Sequence, residues 1–134
     1  MRNIFTPLEI ARFHVEEAGA GRHDESFRFA SAEAAWSGFG MRGGLQEWKG
    51  AHAAVATAFP DLTTRILRCV HQNDWVAIWF EMMGTHTAPF MGHAPTGRQV
   101  RCDLVVFDRI QDGLCVEHHN LTDQLLLMRQ LGLA

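Results

Sequence analysis

Apolar residues at helical spacing mark the start of the chain. A capping box with proline at the first helical position, Thr6-Pro7-Leu8-Glu9, introduces a stripe made of Leu8, Ala11, Val15 and Ala18. This pattern predicts a helix over residues 7–18, which ends at Gly19-Ala20-Gly21. The next segment, from His23 to Gly44, mixes aromatic residues, alanines and glycines, and we interpret it as a short helix followed by a strand.

A second helical stripe follows and is better defined. It consists of Leu45, Trp48, Ala51, Val55 and Ala58 or Phe59. Pro60-Asp61 interrupts the pattern, because proline cannot continue a helix. The sequence therefore predicts a helix that begins at Leu45 and ends before Pro60.

Alternation of side chains predicts four β-strands in the second half of the chain. The strands cover residues 62–71, 75–86, 99–110 and 114–121. Gln72-Asn73-Asp74 is a turn signal between the first two, and Gln111-Asp112-Gly113 suits a three-residue hairpin loop between the last two. The segment from Gly84 to Arg98 is rich in glycine and proline and indicates a loop or a bulged crossing, so the strands form a meander.

The predicted hairpin loop determines which residues of the last two strands face each other. Pairing residue 110 with residue 114 places Val106 opposite His118 and Leu104 opposite Asn120. One face is then apolar with two polar side chains, and it holds Cys102, Leu104, Val106, Val116, His118 and Asn120. The other face, typical of a polar outer face or a dimer contact, holds Arg101, Asp103, Val105, Phe107, Glu117, His119 and Leu121.

The leucine-rich end of the chain predicts one more helix. It covers Thr122 to Leu131, and Gly132 is placed as its C-terminal cap. Helices followed by a meander indicate an α+β fold in which helices cover one face of a curved antiparallel sheet. Because the chain contains no internal repeat and no low-complexity segment, we expect a single domain over residues 1–134.

Composition and charge narrow the class of protein. A chain of 134 residues with 47% hydrophobic side chains can bury one core. The formal charge of −3 gives no positive field for a phosphate backbone, so we expect no nucleic-acid partner. No apolar run reaches the roughly 20 residues that span a bilayer, and residues 1–7 lack an apolar leader. We therefore expect a cytoplasmic protein without membrane contact.

Metal-ligating residue types are present but show no recognised spacing. The three cysteines form no CxxC pair, and we expect Cys69, Cys102 and Cys115 to be buried free thiols in strands. Among the eight histidines, only His118 and His119 are adjacent, and they point to opposite faces of one strand. No HxH or HxxxH pattern occurs, so we expect no metal site.

A series of short motifs resembles one known family. The motifs are Phe59-Pro60-Asp61-Leu62, Asn73-Asp74-Trp75-Val76, Gly84-Thr85-His86-Thr87, Pro95-Thr96-Gly97-Arg98, Asp112-Gly113, Glu117-His118, Asp123 and Arg129-Gln130-Leu131-Gly132. In this order and at this spacing, over residues 43–132, the chain resembles the SnoaL-like polyketide cyclases. The resemblance implies the nuclear transport factor 2-like fold, a cone of curved sheet and helices around a ligand cavity, and homodimers formed through the sheet.

Upstream of Gly43 the resemblance weakens, because family members begin with longer helices that close the mouth of the cone. The abbreviated N-terminal part implies a more open pocket, or a lid supplied from elsewhere, such as a partner subunit.

The resemblance also implies a chemistry without metal or organic cofactor. The founding cyclases close a ring by intramolecular aldol condensation, with an acidic residue on the last strand as base and a histidine on the preceding strand. In this chain Asn120 occupies the position of the base, Val106 that of the histidine and Leu104 that of a nearby glutamine. Asparagine cannot act as a general base at physiological pH, so the aldol mechanism does not carry over as it stands.

His118 matches the family pattern and is the remaining titratable group on the apolar face. Its unperturbed pKa near 6.5 suits acid–base work, with Asn120 orienting the ligand. The alternative is a structural histidine half-buried in the sheet.

Four more residues are candidates for the pocket wall. Trp36 and Met83 belong to an apolar set that suits a cavity lining. His86 reaches the cavity rim or else bonds a backbone carbonyl. Glu81 becomes a candidate base if it points inward, whereas outward placement puts it on the solvated or interface side of the sheet.

Three functions fit these residues. The first is a cofactor-free cyclase, isomerase, hydratase or hydrolase for a small, mostly apolar, carbonyl-bearing or cyclic molecule. The second is a binding or sensing module for a hydrophobic metabolite, which the residues at 106 and 120 favour. The third is an interaction protein that uses only its sheet, and it requires that no cavity exist.

Overall fold

In a computed structural model that describes residues 5–134, the elements follow the order predicted from the pattern. Within those residues the helices are α1 (Pro7–Gly19), α2 (Leu45–Ala58) and α3 (Gln124–Gln130), and a 3-10 turn covers Glu25–Phe27. The strands are β1 (Ala30–Gly38), β2 (Met41–Gly43), β3 (Thr63–Gln72), β4 (Trp75–Thr85), β5 (Gln99–Gln111) and β6 (Leu114–Thr122). The first four residues of the predicted domain, which are also part of the segment predicted to lack a leader, lie outside the described residues.

The capping box predicted for the first helix is present. The Thr6 hydroxyl accepts a hydrogen bond from the Glu9 amide at 3.1 Å, and the Glu9 carboxylate accepts one from the Thr6 amide at 2.9 Å. Both bonds satisfy amide groups that have no partner inside the helix. The start of α1 is therefore fixed by two residues of the sequence.

One six-stranded curved sheet forms the frame, in the order β2-β1-β6-β5-β4-β3. The meander from β3 to β6 is antiparallel as predicted, but β1 runs parallel to β6, so the sheet is mixed rather than antiparallel. β1 can run parallel to β6 because a long stretch of chain connects them, whereas a tight hairpin joins only antiparallel strands. β2 adds to the outer edge of β1 through a turn at Phe39 and Gly40, both with positive φ.

The register predicted for the last hairpin is wrong. Asp112 and Gly113 form a two-residue turn with φ of 52° and 77°, so Gln111 pairs with Leu114. A bulge between Arg109 and Ile110 then shifts the pairing again. The observed pairs are Leu104 with Thr122, Val106 with Asn120, and Asp108 with His118.

The inner face of the sheet packs against α1 and α2. Even-numbered residues of β4 and β5 point to this side and are buried, among them Val76, Ile78, Phe80, Met82, Leu104 and Val106. Cys102 and Cys115 are buried free thiols in strands, as predicted, whereas Cys69 is half-buried. Between the helices and the sheet a space remains, and it is the candidate site.

A membrane-spanning helix would have to be longer and more apolar than any helix of residues 5–134.

Candidate functional site

The cavity between the helices and the sheet is small and mostly apolar. It has a volume of about 90 Å³ and is lined from the three helices and from β1, β3, β4, β5 and β6. Aromatic and aliphatic side chains form most of the wall, including Phe39, Phe59, Phe80, Met82, Phe90 and Leu127. This cavity disfavours the third function considered from the sequence, an interaction protein that requires no cavity to exist.

Five of the residues proposed from the sequence meet in this cavity. They are Trp36, Leu104, Val106, His118 and Asn120. Four of them lie on β5 and β6, where the face predicted from alternation is the inner face despite the wrong register.

His118 is held in place by a carboxylate that the sequence analysis did not consider. Its Nδ1 donates a hydrogen bond of 2.6 Å to Asp108 Oδ1, directly across the β5–β6 pair. The two side chains are only 3% and 2% exposed. The indole of Trp48 stacks on the imidazole with ring centroids 4.3 Å apart. Because Nδ1 is occupied, Nε2 is the nitrogen left for a ligand.

Asn120 lies next to His118 on the same inner face, opposite Val106. Its Oδ1 accepts a hydrogen bond of 2.6 Å from the Thr122 hydroxyl. The amide NH₂ is therefore the group available to donate to a ligand oxygen.

Two further histidines line the same end of the cavity, His14 from α1 and His52 from α2. The His14 ring centroid lies 5.3 Å from that of His118 and 5.4 Å from that of His52. His52 Nε2 is 3.0 Å from Nδ1 of His23, which completes a cluster of four imidazoles. Sequence reasoning missed His14 and His52, although His14 stands beside Val15 and His52 beside Ala51 in the predicted apolar stripes.

The cavity environment keeps two of these histidines neutral at pH 7. Burial, reinforced by His118 and His52, holds the pKa of His14 well below its ordinary value of 6.5. Burial, and then the charges of His23 and His118, lowers the pKa of His52 to about 4. Both rings thus present a lone pair rather than a positive charge at neutral pH.

Glu81 and Met83 do not belong to the cavity, and their proposed place in the pocket is wrong. Phe80 and Met82 point inward from β4, so the residues that alternate with them point to the outer face. The Glu81 carboxylate is 3.2 Å from the Arg65 guanidinium and has Arg101 at 3.9 Å. It is engaged in ion pairs on the far side of the sheet.

His86 is also outside the cavity, which corrects its proposed place at the rim. It is fully buried beside Phe59, with ring centroids 5.5 Å apart. Its Nδ1 accepts hydrogen bonds from the amide and the hydroxyl of Thr96 at 3.1 and 3.0 Å. His86 therefore stabilises the segment between β4 and β5 through its hydrogen bonds with Thr96, and not through a bond to a backbone carbonyl.

Three potential metal ligands come together where the sequence spacing predicted none. Asp108, Cys115 and His118 offer ligand atoms that all lie within 4.8 Å of one another. The carboxylate and the imidazole are already hydrogen-bonded, and the thiol donates to the Glu117 carbonyl at 3.1 Å. Burial raises the pKa of Cys115, so the thiolate that a metal requires is disfavoured. This group is a hydrogen-bonded cluster in its present form.

Comparison with known proteins gives one family and one fold. The sequence model described as SnoaL-like polyketide cyclase matches residues 12–131. No protein with a curated description shows significant sequence similarity to the chain.

Several solved structures share the architecture. AclR of Streptomyces galilaeus, described as a candidate hydroxylase, has 24% identity and a TM-score of 0.86, covering 94% of this chain and 95% of its own. IdmH of Streptomyces antibioticus, described as a candidate polyketide cyclase, has 27% identity and a TM-score of 0.81, covering 96% and 99%. TsrD of Streptomyces laurentii has 20% identity and a TM-score of 0.84, covering 99% and 100%.

Proposed function

The chain belongs to the SnoaL-like polyketide cyclase family, and from this premise we propose that it is an acid–base enzyme independent of metal and organic cofactors. Its substrate is a small, mostly apolar, carbonyl-bearing or cyclic molecule, and its reaction begins with proton transfer next to the carbonyl. The observation that carries the proposal is the buried Asp108–His118 pair, whose imidazole lines an apolar cavity.

Asp108 and His118 have different roles in proton transfer, since Asp108 orients the imidazole and His118 exchanges the proton. The carboxylate accepts the Nδ1–H bond and so fixes the orientation of the ring and the nitrogen that faces the substrate. Nε2 can then give a proton to a carbonyl oxygen or recover one from it.

The remainder of the cavity supports this chemistry by its composition. Apolar walls exclude water, which strengthens each electrostatic interaction inside the cavity. The NH₂ group of Asn120 can donate to the substrate oxygen as negative charge develops on it. Asn120 accordingly binds and orients the substrate, and the acid–base group is His118.

The test uses 2-tetralone, a bicyclic ketone with an acidic C–H next to the carbonyl. We expect the protein to accelerate exchange of that hydrogen in D₂O, followed by proton NMR. His118→Gln and Asp108→Asn should each slow the exchange about 100-fold, the effect of losing one general acid–base group. His71→Gln is the control, because His71 is an exposed histidine that donates to the Asn73 carbonyl and does not line the cavity.

A binding or sensing module is the second candidate, and the residues at 106 and 120 favour it because neither can exchange a proton. A thermal shift measured with 2-tetralone separates the two functions. Stabilisation of the protein without exchange supports a binding module, and exchange that does not depend on His118 contradicts the role given to that residue.

We further propose that the protein is a homodimer joined through the outer face of the sheet. Three apolar side chains of this face, Trp79, Phe107 and Leu121, are 43%, 41% and 63% exposed. Side chains of both charge signs accompany them, such as Arg101 and Asp103, and such a mixture can match itself across a two-fold axis. A second copy of the chain is therefore the occupant that fits this face.

A further inference from the structure

We propose that His14 is the catalytic base of this site and that His118 is the acid opposite it. The inference rests on the proposed acid–base function and supplies what Asn120 lacks, a group able to remove a proton. It comes from the juxtaposition of α1 and β6, which places two imidazoles at one end of an apolar cavity.

Among the described residues, only one ring nitrogen of His14 is hydrogen-bonded. Its Nδ1 donates to the Ser26 carbonyl at 2.9 Å, and the Ser26 hydroxyl in turn donates to the His23 carbonyl at 2.6 Å. This bond fixes the neutral tautomer that carries its proton on Nδ1. Within residues 5–134, Nε2 of His14 has no hydrogen-bond partner, so the nitrogen that accepts protons is free for a ligand.

The two imidazoles stand in opposite electrostatic surroundings. His118 donates its Nδ1–H to the Asp108 carboxylate at 2.6 Å, so a carboxylate lies directly behind its ring. His14 faces His52 and His118 directly and His23 further away, and the cavity wall of the described residues contains no carboxylate. Burial and these neighbours lower the pKa of His14, so its ring is an unprotonated acceptor at neutral pH. A carboxylate beside one imidazole and none beside the other is the arrangement that we expect of an acid and a base.

Two proton transfers, one to His14 and one from His118, convert the ketone into its enol. Nε2 of His14 takes the proton from the C–H bond next to the carbonyl, and the electrons of that bond form the carbon–carbon double bond. The carbonyl π electrons move onto oxygen, which receives the Nε2 proton of imidazolium His118. The products are an enol, a protonated His14 and a neutral His118. After the N–H protons of the two rings exchange with D₂O, the reverse steps deliver deuterium to carbon.

The experiment compares His14→Gln, His118→Gln and the control His71→Gln in the exchange of 2-tetralone. We expect His14→Gln to lower the exchange rate about 100-fold. The thermal shift that 2-tetralone produces should remain, because glutamine can still donate to the Ser26 carbonyl. The wild-type rate should also fall at low pH as His14 becomes protonated, and this acidic limb should disappear from the residual activity of His14→Gln.

A second measurement does not depend on the variants. Long-range proton–nitrogen spectra of the wild-type histidine rings should show His14 neutral at pH 7, with its proton on Nδ1. A proton on Nε2 at that pH contradicts the proposal, even if His14→Gln fails to fold.

The remaining outcomes separate this inference from the proposed function. Normal exchange by His14→Gln together with loss of exchange in His118→Gln overturns the role of His14 alone. Absence of exchange in the wild-type protein overturns the proposed enzyme and the catalytic role of His14 with it. A His71→Gln variant as slow as His14→Gln also overturns it, since the loss would then be unrelated to the site.

Discussion

Individual histidine residues couple the stability of this protein to pH. His52 is neutral in the folded state because burial and its neighbours His23 and His118 lower its pKa to about 4. The unfolded chain has the ordinary value of 6.5, so below that pH the unfolded state binds more protons than the folded state. The stabilising contribution is complete above pH 6.5 and is lost as the pH falls through the window to 4.

We therefore expect the free energy of unfolding to decrease between pH 6.5 and pH 4. His52 should account for roughly 2–3 kcal/mol of that decrease. Urea denaturation of wild-type protein and His52→Gln across this range measures the contribution. The variant should show a shallower pH dependence, whereas parallel curves for the two proteins would contradict the assignment.

Period-two alternation explains which site residues were predictable. It identified Leu104, Val106, His118 and Asn120, because only one face of the last hairpin is rich in apolar side chains. It did not decide the orientation of Glu81, because both faces of β4 carry large apolar residues and the pattern is the same on each side.

The last hairpin shows how an element can be predicted correctly for incomplete reasons. The predicted loop is one residue longer than the observed loop, and the predicted pairing contains no bulge between Arg109 and Ile110. Each of these errors shifts the pairing by one residue, and together they leave the side chains of residues 101–107 and 117–121 on their predicted faces. At the bulge the faces change, because Cys115 is buried opposite Ile110 while Val116, predicted on the inner face, is only half-buried. The partners changed, and His118 gained Asp108 in place of Val106. Bulges of this kind leave no clear sequence signal.

Substitution by alanine should change the stability of the protein in opposite directions at two glycines, Gly113 and Gly50. Gly113 has a φ of 77° in the β5–β6 turn, where a side chain is strained, whereas Gly50 is inside α2. An added Cβ meets no atom within 4 Å at either position, so the backbone alone decides the effect. We expect Gly113→Ala to cost about 1 kcal/mol and Gly50→Ala to add about 1 kcal/mol of stability. Thermal unfolding followed by circular dichroism gives both values, and a stabilising Gly113→Ala would contradict the turn.

At the scale of the whole molecule, the proposed dimer can be tested by a substitution on the outer face of the sheet. Leu121 is 63% exposed in a single chain, so Leu121→Glu should leave the monomer fold intact while placing like charges across the interface. Sedimentation velocity should give a dimer for the wild-type protein and a monomer for this variant. Leu125→Glu is the control, since Leu125 is a leucine of similar exposure, 56%, on α3. A monomeric wild-type protein would contradict the proposal.

The assembly of the whole chain accounts for what the sequence could not predict. The parallel pairing of β1 with β6 and the meeting of His14, His52 and His118 both join segments that are far apart along the chain. Local patterns define each helix and strand but contain no information about which distant elements become neighbours. The predicted α+β class and the three longer predicted helices are therefore confirmed. The short helix predicted after His23 is only a 3-10 turn, and the mixed sheet and the histidine cluster depend on contacts between distant segments.

The position of α1 has a consequence for how long the site stays assembled. This helix contributes His14, and it packs on the sheet through the buried side chains of Ile10, Ala11, Val15 and Ala18. A packed segment can open locally at a lower free energy than global unfolding requires. If His14 is the base, the fraction of competent molecules is set by this local opening equilibrium. Hydrogen exchange of the α1 amides would then report on enzymatic capacity as well as on helix stability.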